Sequence, residues 1–266
     1  MTGYFKRRRR ERLRAQPFPE DWRAIIERNV RLFARLPAAD QSELLGHVLV
    51  FLDEKHFEGC GGLELTDEMR VTVAAQACLL LLHRETDYYP RLTSILVYPT
   101  SYIVPEERHV GGGVWEEGED VMLGHTQSRL NALVLAWDET LHGARNVGDG
   151  SNLVFHEFAH QLDFEDSVTN GTPLLESPAQ YASWARVLGA DFDRLRQAES
   201  EGASTLLDQY GATNPAEFFA VATEFFFERP RELRAKHAAL YEELRSFYRQ
   251  DPAEWADESP PSGAGR

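Results

Sequence analysis

The strongest constraint in the sequence is one segment, Asn152 to Asp163, which reads NLVFHEFAHQLD. Leu153, Val154, Phe155, Phe158, Ala159 and Leu162 are apolar, so a helix here must be buried, yet it carries His156, Glu157 and His160. On an α-helix, residues four apart share a face, and two imidazoles so placed can point at one metal ion. Glu157 lies about 100° around the helix from His156, near enough to hold an attacking water and take its proton. With nine histidines in 266 residues, chance supplies about 0.03 copies of HExxH. The segment predicts a buried metal-binding helix, with zinc as the expected ion.

Catalytic zinc uses three protein ligands and keeps a fourth position open, so a third ligand must follow. The elongated pattern HExxHxxGxxH fails, because Asp163 and Asp166 stand where it needs Gly and His. Asp166 could itself ligate, but Asp163 cannot offer the turn that Gly supplies. The better candidate is Glu217, in the apolar stretch NPAEFFAVATEFFF, which carries two isolated acids, Glu217 and Glu224. Seven residues apart, these share nearly one helix face but are separated by about 10 Å along it, too far to ligate the same ion. Tyr210, seven residues before Glu217, could donate a hydrogen bond to an oxyanion; without a metal it reads as an ordinary tyrosine. Asp163 either orients a ligand histidine from behind or sits on the helix surface.

Helical periodicity dominates up to about Arg84. Trp22, Ile25, Ile26, Val30 and Phe33 recur at spacings of three and four, as do Leu44, Leu45, Val48 and Leu52 beyond Pro37. A third helix starts at Thr66, an N-cap followed by Asp67 and Glu68, and runs to about His83. From Thr93 to Trp137, short strands (Ile95–Tyr98, Tyr102–Val104, Leu133–Trp137) alternate with Gly-rich or acidic loops. The stretch 131–137 is either an edge strand able to pair with an extended substrate or a buried interior strand. Trp115 and Trp137 read as core. Asn214 and Pro215 start a helix that Pro230 ends after Phe227, and a last helix covers roughly Glu232–Tyr248.

The expected fold class is therefore α+β. A helical N-terminal layer and a small mixed sheet precede a helical section carrying the HExxH helix and a second glutamate-bearing helix. The predicted division is a flexible basic arm (1–15), an N-terminal helical region (16–90), a zinc peptidase core (91–252) and a disordered tail (253–266). The first three helices could also cover the cleft.

Charge narrows the function. The chain has 28 Lys and Arg against 43 Asp and Glu, a net −15, while residues 1–15 alone carry a local +6. A body of −21 argues against a nucleic-acid binder, because phosphate affinity rests on Lys and Arg. The KRRRR run reads as a solvated, mobile terminus. The longest nearly uncharged apolar run, Val71 to Leu82, has 12 residues, against about 18 for a membrane span. No apolar stretch of a signal peptide follows the basic run, so no membrane contact and a cytoplasmic location are expected. Cys60 and Cys78 read as reduced core thiols.

Taken together, HEFAHQLD, DQYGATNPAEFFAVATEFFF, the LVLAW strand and GDGSNLVFHEFAH resemble the Mlc titration factor A family of zinc metallopeptidases. The resemblance covers residues 15–252 and is most specific over 131–228. It implies a gluzincin-like site similar to that of the anthrax lethal factor catalytic domain, with one zinc per chain on His156, His160 and Glu217. It also implies Glu157 as general base and Tyr210 as transition-state donor. The family is cytoplasmic and aminopeptidase-like on small peptides, and one member binds Mlc, a transcriptional repressor. The expected partners are thus a peptide substrate and a repressor protein. The alternative is a regulatory protein that sequesters a transcription factor with little catalysis.

Overall fold

The structure, a computed structural model, describes residues 2–110, 114–122, 124–127 and 131–255. Its N-terminal layer comprises α1 (Thr2–Arg14), α2 (Glu20–Asn29) and α3 (Ala38–Glu54), with a 3-10 turn at Arg31–Arg35 between the last two. A short strand, β1 (His56–Gly59), leads into α4 (Asp67–Leu79). The Thr66 hydroxyl caps α4 by accepting from Met69 N, and Asp67 and Glu68 occupy the first turn, where the helix dipole favours acids. Val71 to Leu82 is buried on every side. The apolar run too short to cross a bilayer is instead an interior helix, with α2, α3 and the HExxH helix packed around it.

Next come β2 (Ser94–Tyr98), β3 (Tyr102–Val110), β4 (Val114–Met122), β5 (Gly124–Gln127) and β6 (Ala132–Ala136). The main sheet has the order β1-β2-β6-β5. β1, β2 and β6 are parallel, and β5 runs antiparallel to β6. β3 and β4 pair separately as a hairpin, from Tyr102 opposite Met122 to Val110 opposite Val114. All five residues of β6 are buried, as in a sheet covered on both faces. The strand expected within 131–137 is thus interior, and the edges of the sheet are β1 and β5. Trp137 is not part of the strand: it opens α5 (Trp137–Arg145) and packs half-buried on the core. The side chain of Trp115 lies outside the described residues.

The rest is helical: α6 (Leu153–Asp163), α7 (Pro178–Ser200), α8 (Pro215–Glu228), α9 (Pro230–Lys236) and α10 (Ala238–Tyr248). The single helix expected over Glu232–Tyr248 is two, parted at His237, which leaves helical geometry and sets its Nδ1 2.9 Å from Asp191 Oδ1. α6 and α8 lie side by side, joined by the Phe155–Phe227 ring contact at 5.2 Å. On its other flank α6 packs Phe158 against Tyr89 at 4.8 Å.

Two terminal expectations are corrected. The basic arm is helical and docked: Arg10 is buried, bonded to Glu54 through two nitrogens at 2.7 Å and stacked 4.6 Å over the Tyr88 ring. Lys6 reaches Asp87 and Arg9 reaches Asp53. Acids folded in from α3 and from the segment after α4 neutralise a run that looked solvated. At the other end, Pro252–Glu254 forms a 3-10 turn with Ala253 buried, and Trp255 packs 6.1 Å from Phe227. The rest of the tail, 256–266, lies outside the described residues. Cys60 and Cys78 are both free thiols. Among the described residues no helix is long and apolar enough to cross a membrane.

Candidate metal centre

Local sequence sets both helices of the centre. Asn152 caps α6, its Oδ1 accepting from Phe155 N at 3.0 Å. The chain reaches that cap through Gly150, whose φ of +87° and contact with the Phe225 ring leave no room for a Cβ. Asn214 caps α8 by accepting from Ala216 N and Glu217 N at 2.9 and 3.0 Å, with Pro215 as first helical residue. The Glu217 backbone is therefore held at the positive end of α8.

Three of the expected residues converge. His156 Nε2 lies 3.0 Å from Glu217 Oε2 and 3.2 Å from His160 Nε2, and the third edge, His160 Nε2 to Glu217 Oε2, is 3.3 Å. Tetrahedral zinc with bonds of about 2.0–2.1 Å requires ligand atoms about 3.3 Å apart. The three atoms thus form a face that fits such an ion. Glu224 meets the same imidazole from the other side, with Oε1 2.8 Å from His156 Nδ1. When the ring is neutral, that carboxylate holds the proton on Nδ1 and leaves the Nε2 lone pair facing the triangle. The seven-residue spacing of the two acids, read only as a bar to shared ligation, spans one imidazole with a contact at each nitrogen.

The electrostatics point the same way. Burial pushes the Glu217 carboxyl up, but hydrogen bonds with His156 and His160 outweigh it and hold the group at about 2. Burial pulls the His156 imidazole down, yet Glu217 and Glu224 raise it well above its ordinary value. Both shifts describe a pocket in which acids demand positive charge, and a cation bound by the lone pairs would meet the same demand.

The sequence pattern of the glucose-regulated metallo-peptidase M90 family matches residues 4–249. This chain belongs to that family. Similar proteins include an uncharacterized protein of Synechocystis sp., 39% identical over 92% of this chain and 89% of the relative. Proteins called Mlc titration factor A from Yersinia pestis and Yersinia pseudotuberculosis are each 32% identical, over 84% of this chain and 83% of the relative.

The remaining residues of this M90 chain fall around the centre. A cleft of about 680 Å³ opens over it, lined among others by Glu157, Tyr210 and Asp208. Glu157 is buried on α6. Tyr210 sits in a 3-10 turn at Gln209–Ala212 with its ring 5.9 Å from that of His156, and it lines the cleft while 55% exposed. Every described lining residue lies at Glu139 or beyond; the N-terminal helices support α6 through α4 and do not roof the cleft. Asp166 is absent from the lining and instead accepts from Val168 N. Asp163 does not orient His160, whose Nδ1 is buried without a partner; both its oxygens bind the backbone of Gly171 and Thr172.

Sequence reasoning missed the support beneath α6. Glu224 Oε2 accepts from Asn152 N at 2.6 Å, so one carboxylate ties the helix start to the His156 ring. Asn152 Nδ2 donates to Gln76 Oε1 on α4 and to Glu228 Oε1 on α8. Burial raises the Glu228 carboxyl to about 8. An acid closing the run EFFFE, four residues after Glu224, was the available signal.

Proposed function

We propose that this chain is a zinc-dependent peptidase in which His156, His160 and Glu217 hold the metal. The observation that carries the reading is the triangle of donor atoms with edges of 3.0–3.3 Å, which matches a face of tetrahedral zinc. Zinc, when bound, supplies Lewis acidity that acidifies a water and polarises the scissile carbonyl. Glu157, next to His156 and facing the cleft, takes the proton of the attacking water and hands it to the departing amine. Tyr210 donates a hydrogen bond from its phenol to the oxygen that gains charge. A cleft of about 680 Å³ suits a short peptide better than a folded protein, in keeping with aminopeptidase-like cleavage of small substrates. With β6 interior, the strand for an extended substrate is β5, which is antiparallel to β6 and packs beside α6.

The test compares wild type with Glu157→Gln on a mixed peptide library, both loaded with zinc. One zinc in each protein, with cleavage by wild type and a loss of several orders of magnitude in the variant, is expected. Equal cleavage by both proteins overturns the assignment of the base. Preference for free amino termini over acetylated ones supports the aminopeptidase reading.

The name of the Yersinia relatives, Mlc titration factor A, favours a second, compatible role: binding a transcriptional repressor in the cytoplasm. Capture of such a repressor by Glu157→Gln protein supports an interaction surface separate from catalysis. Loss of capture in that variant ties binding to the cleft.

A further inference from the structure

Asp163 lies three residues past His160 on α6 and is fully buried, yet neither oxygen serves a histidine. Oδ2 accepts from Gly171 N and Oδ1 from Thr172 N, each at 2.8 Å. The carbonyl of Gly171 in turn accepts from Trp184 Nε1 on α7 at 2.9 Å. Gly171 has a φ of +75°, and a Cβ there would stand 2.2 Å from the carbonyl oxygen of Pro215. Pro215 is the first residue of α8, two before Glu217. Trp184 also packs edge-on to Phe219, two residues beyond Glu217, at 5.5 Å. The backbone on either side of the third ligand therefore rests on one glycine and one indole; the carboxylate that follows the second histidine holds the glycine, and the glycine's carbonyl holds the indole.

We propose that Asp163, Gly171 and Trp184 form a strut that sets the distance of Glu217 from the histidine pair, which makes Asp163 a positioning residue of the centre. The inference rests on the reading of His156, His160 and Glu217 as ligands. Glutamate is long and rotatable, so the atom triangle needs the start of α8 held firmly against the end of α6. The α6–α8 contact alone leaves that end of α8 bounded on one side. The strut bounds it on the other, with no side chain between Gly171 and the Pro215 carbonyl to act as a compressible spacer. Asn170, the residue before the glycine, lines the cleft, so the same strut places part of the substrate wall.

The experiment measures zinc affinity by chelator competition, and the visible absorption of the cobalt-substituted protein, in full-length wild type, Asp163→Asn, Gly171→Ala and Trp184→Phe. Asparagine keeps one acceptor but turns an amide donor toward a backbone N–H. Leu44→Ala on α3 is the control, since it removes buried apolar volume away from the centre. Zinc binding weaker by about 10–100-fold in Asp163→Asn and Gly171→Ala, with an altered cobalt spectrum, is expected, while Leu44→Ala keeps wild-type values. Trp184→Phe should show a smaller loss, because the ring packing stays and only the indole donor goes. If Gly171→Ala does not fold, the other two variants decide. Folded Asp163→Asn and Trp184→Phe with wild-type affinity and spectrum overturn the strut. So does an equal loss in Leu44→Ala. Failure of wild type to bind either metal would overturn the ligand reading itself, a result distinct from metal binding that ignores the strut.

Discussion

Glu228 offers a test of the buried polar network that needs no substrate. Its carboxylate is 3% exposed and receives Asn152 Nδ2 at 3.2 Å and Gly148 N at 3.2 Å, yet burial lifts it from 4.5 to about 8. Because the folded value lies above the unfolded one, the folded state holds a proton that the unfolded state releases. Below about pH 4.5 both states are protonated and the contribution to stability is complete; it is lost as pH rises toward about 8. The gap corresponds to about 5 kcal/mol at 1.4 kcal/mol per pH unit, and rearrangement of Asn152 should relieve part, leaving about 3 kcal/mol. Glu228→Gln removes the titration and keeps one acceptor, losing about 1 kcal/mol for the other. The variant should therefore be about 1 kcal/mol less stable than wild type below about pH 4, nearly equal to it at about pH 5 and about 2 kcal/mol more stable near pH 9. Urea unfolding of metal-free protein across that range measures the difference, and other titrating groups cancel between the two proteins. A constant difference, or a variant less stable at pH 9, would refute a neutral buried Glu228.

Three further outcomes are expected. Glu224→Gln should weaken zinc binding by about 10–100-fold, measured by chelator competition, because the amide no longer fixes the His156 ring as a carboxylate does. Tyr210→Phe should lower kcat by about 10²–10³-fold with little change in KM; a wild-type kcat would remove the phenol from the mechanism. Arg10→Ala should cost about 2 kcal/mol and lower Tm by about 5 °C, with faster hydrogen exchange across Thr2–Arg14, whereas an undocked arm would show neither.

Much of the centre was legible because its determinants are local. Asn152 and Asn214 cap helices three residues ahead of themselves, Pro215 suits a first helical position, and His156 and His160 share a face by spacing alone. Glu217 was reachable as an isolated acid in an apolar helix. What stayed hidden depends on residues far apart in the chain. Arg10 is docked by Glu54 and Asp87, and charge counting within residues 1–15 could not register either partner. β1 is four residues, HFEG, too short for its alternation to stand out in the sequence, and pairs in parallel with Ser94–Val97. Whether β6 was an edge turned on β5, a short strand that only the pairing reveals. Asp163 sat in the right motif for a histidine partner, but two backbone amides of a later loop claimed its oxygens first.

The double contact of Glu224 has a consequence for the whole molecule. One carboxylate joins His156 to the first N–H before α6, and Asn152 passes the connection to Gln76 on α4, the interior helix against which α2 and α3 pack. If ion binding and the packing of α4 bias one another through these bonds, the effect runs equally in both directions. A macromolecule that docks on α1–α3 and shifts α4, more than 70 residues upstream in the chain, would then alter the affinity of the centre without entering the cleft.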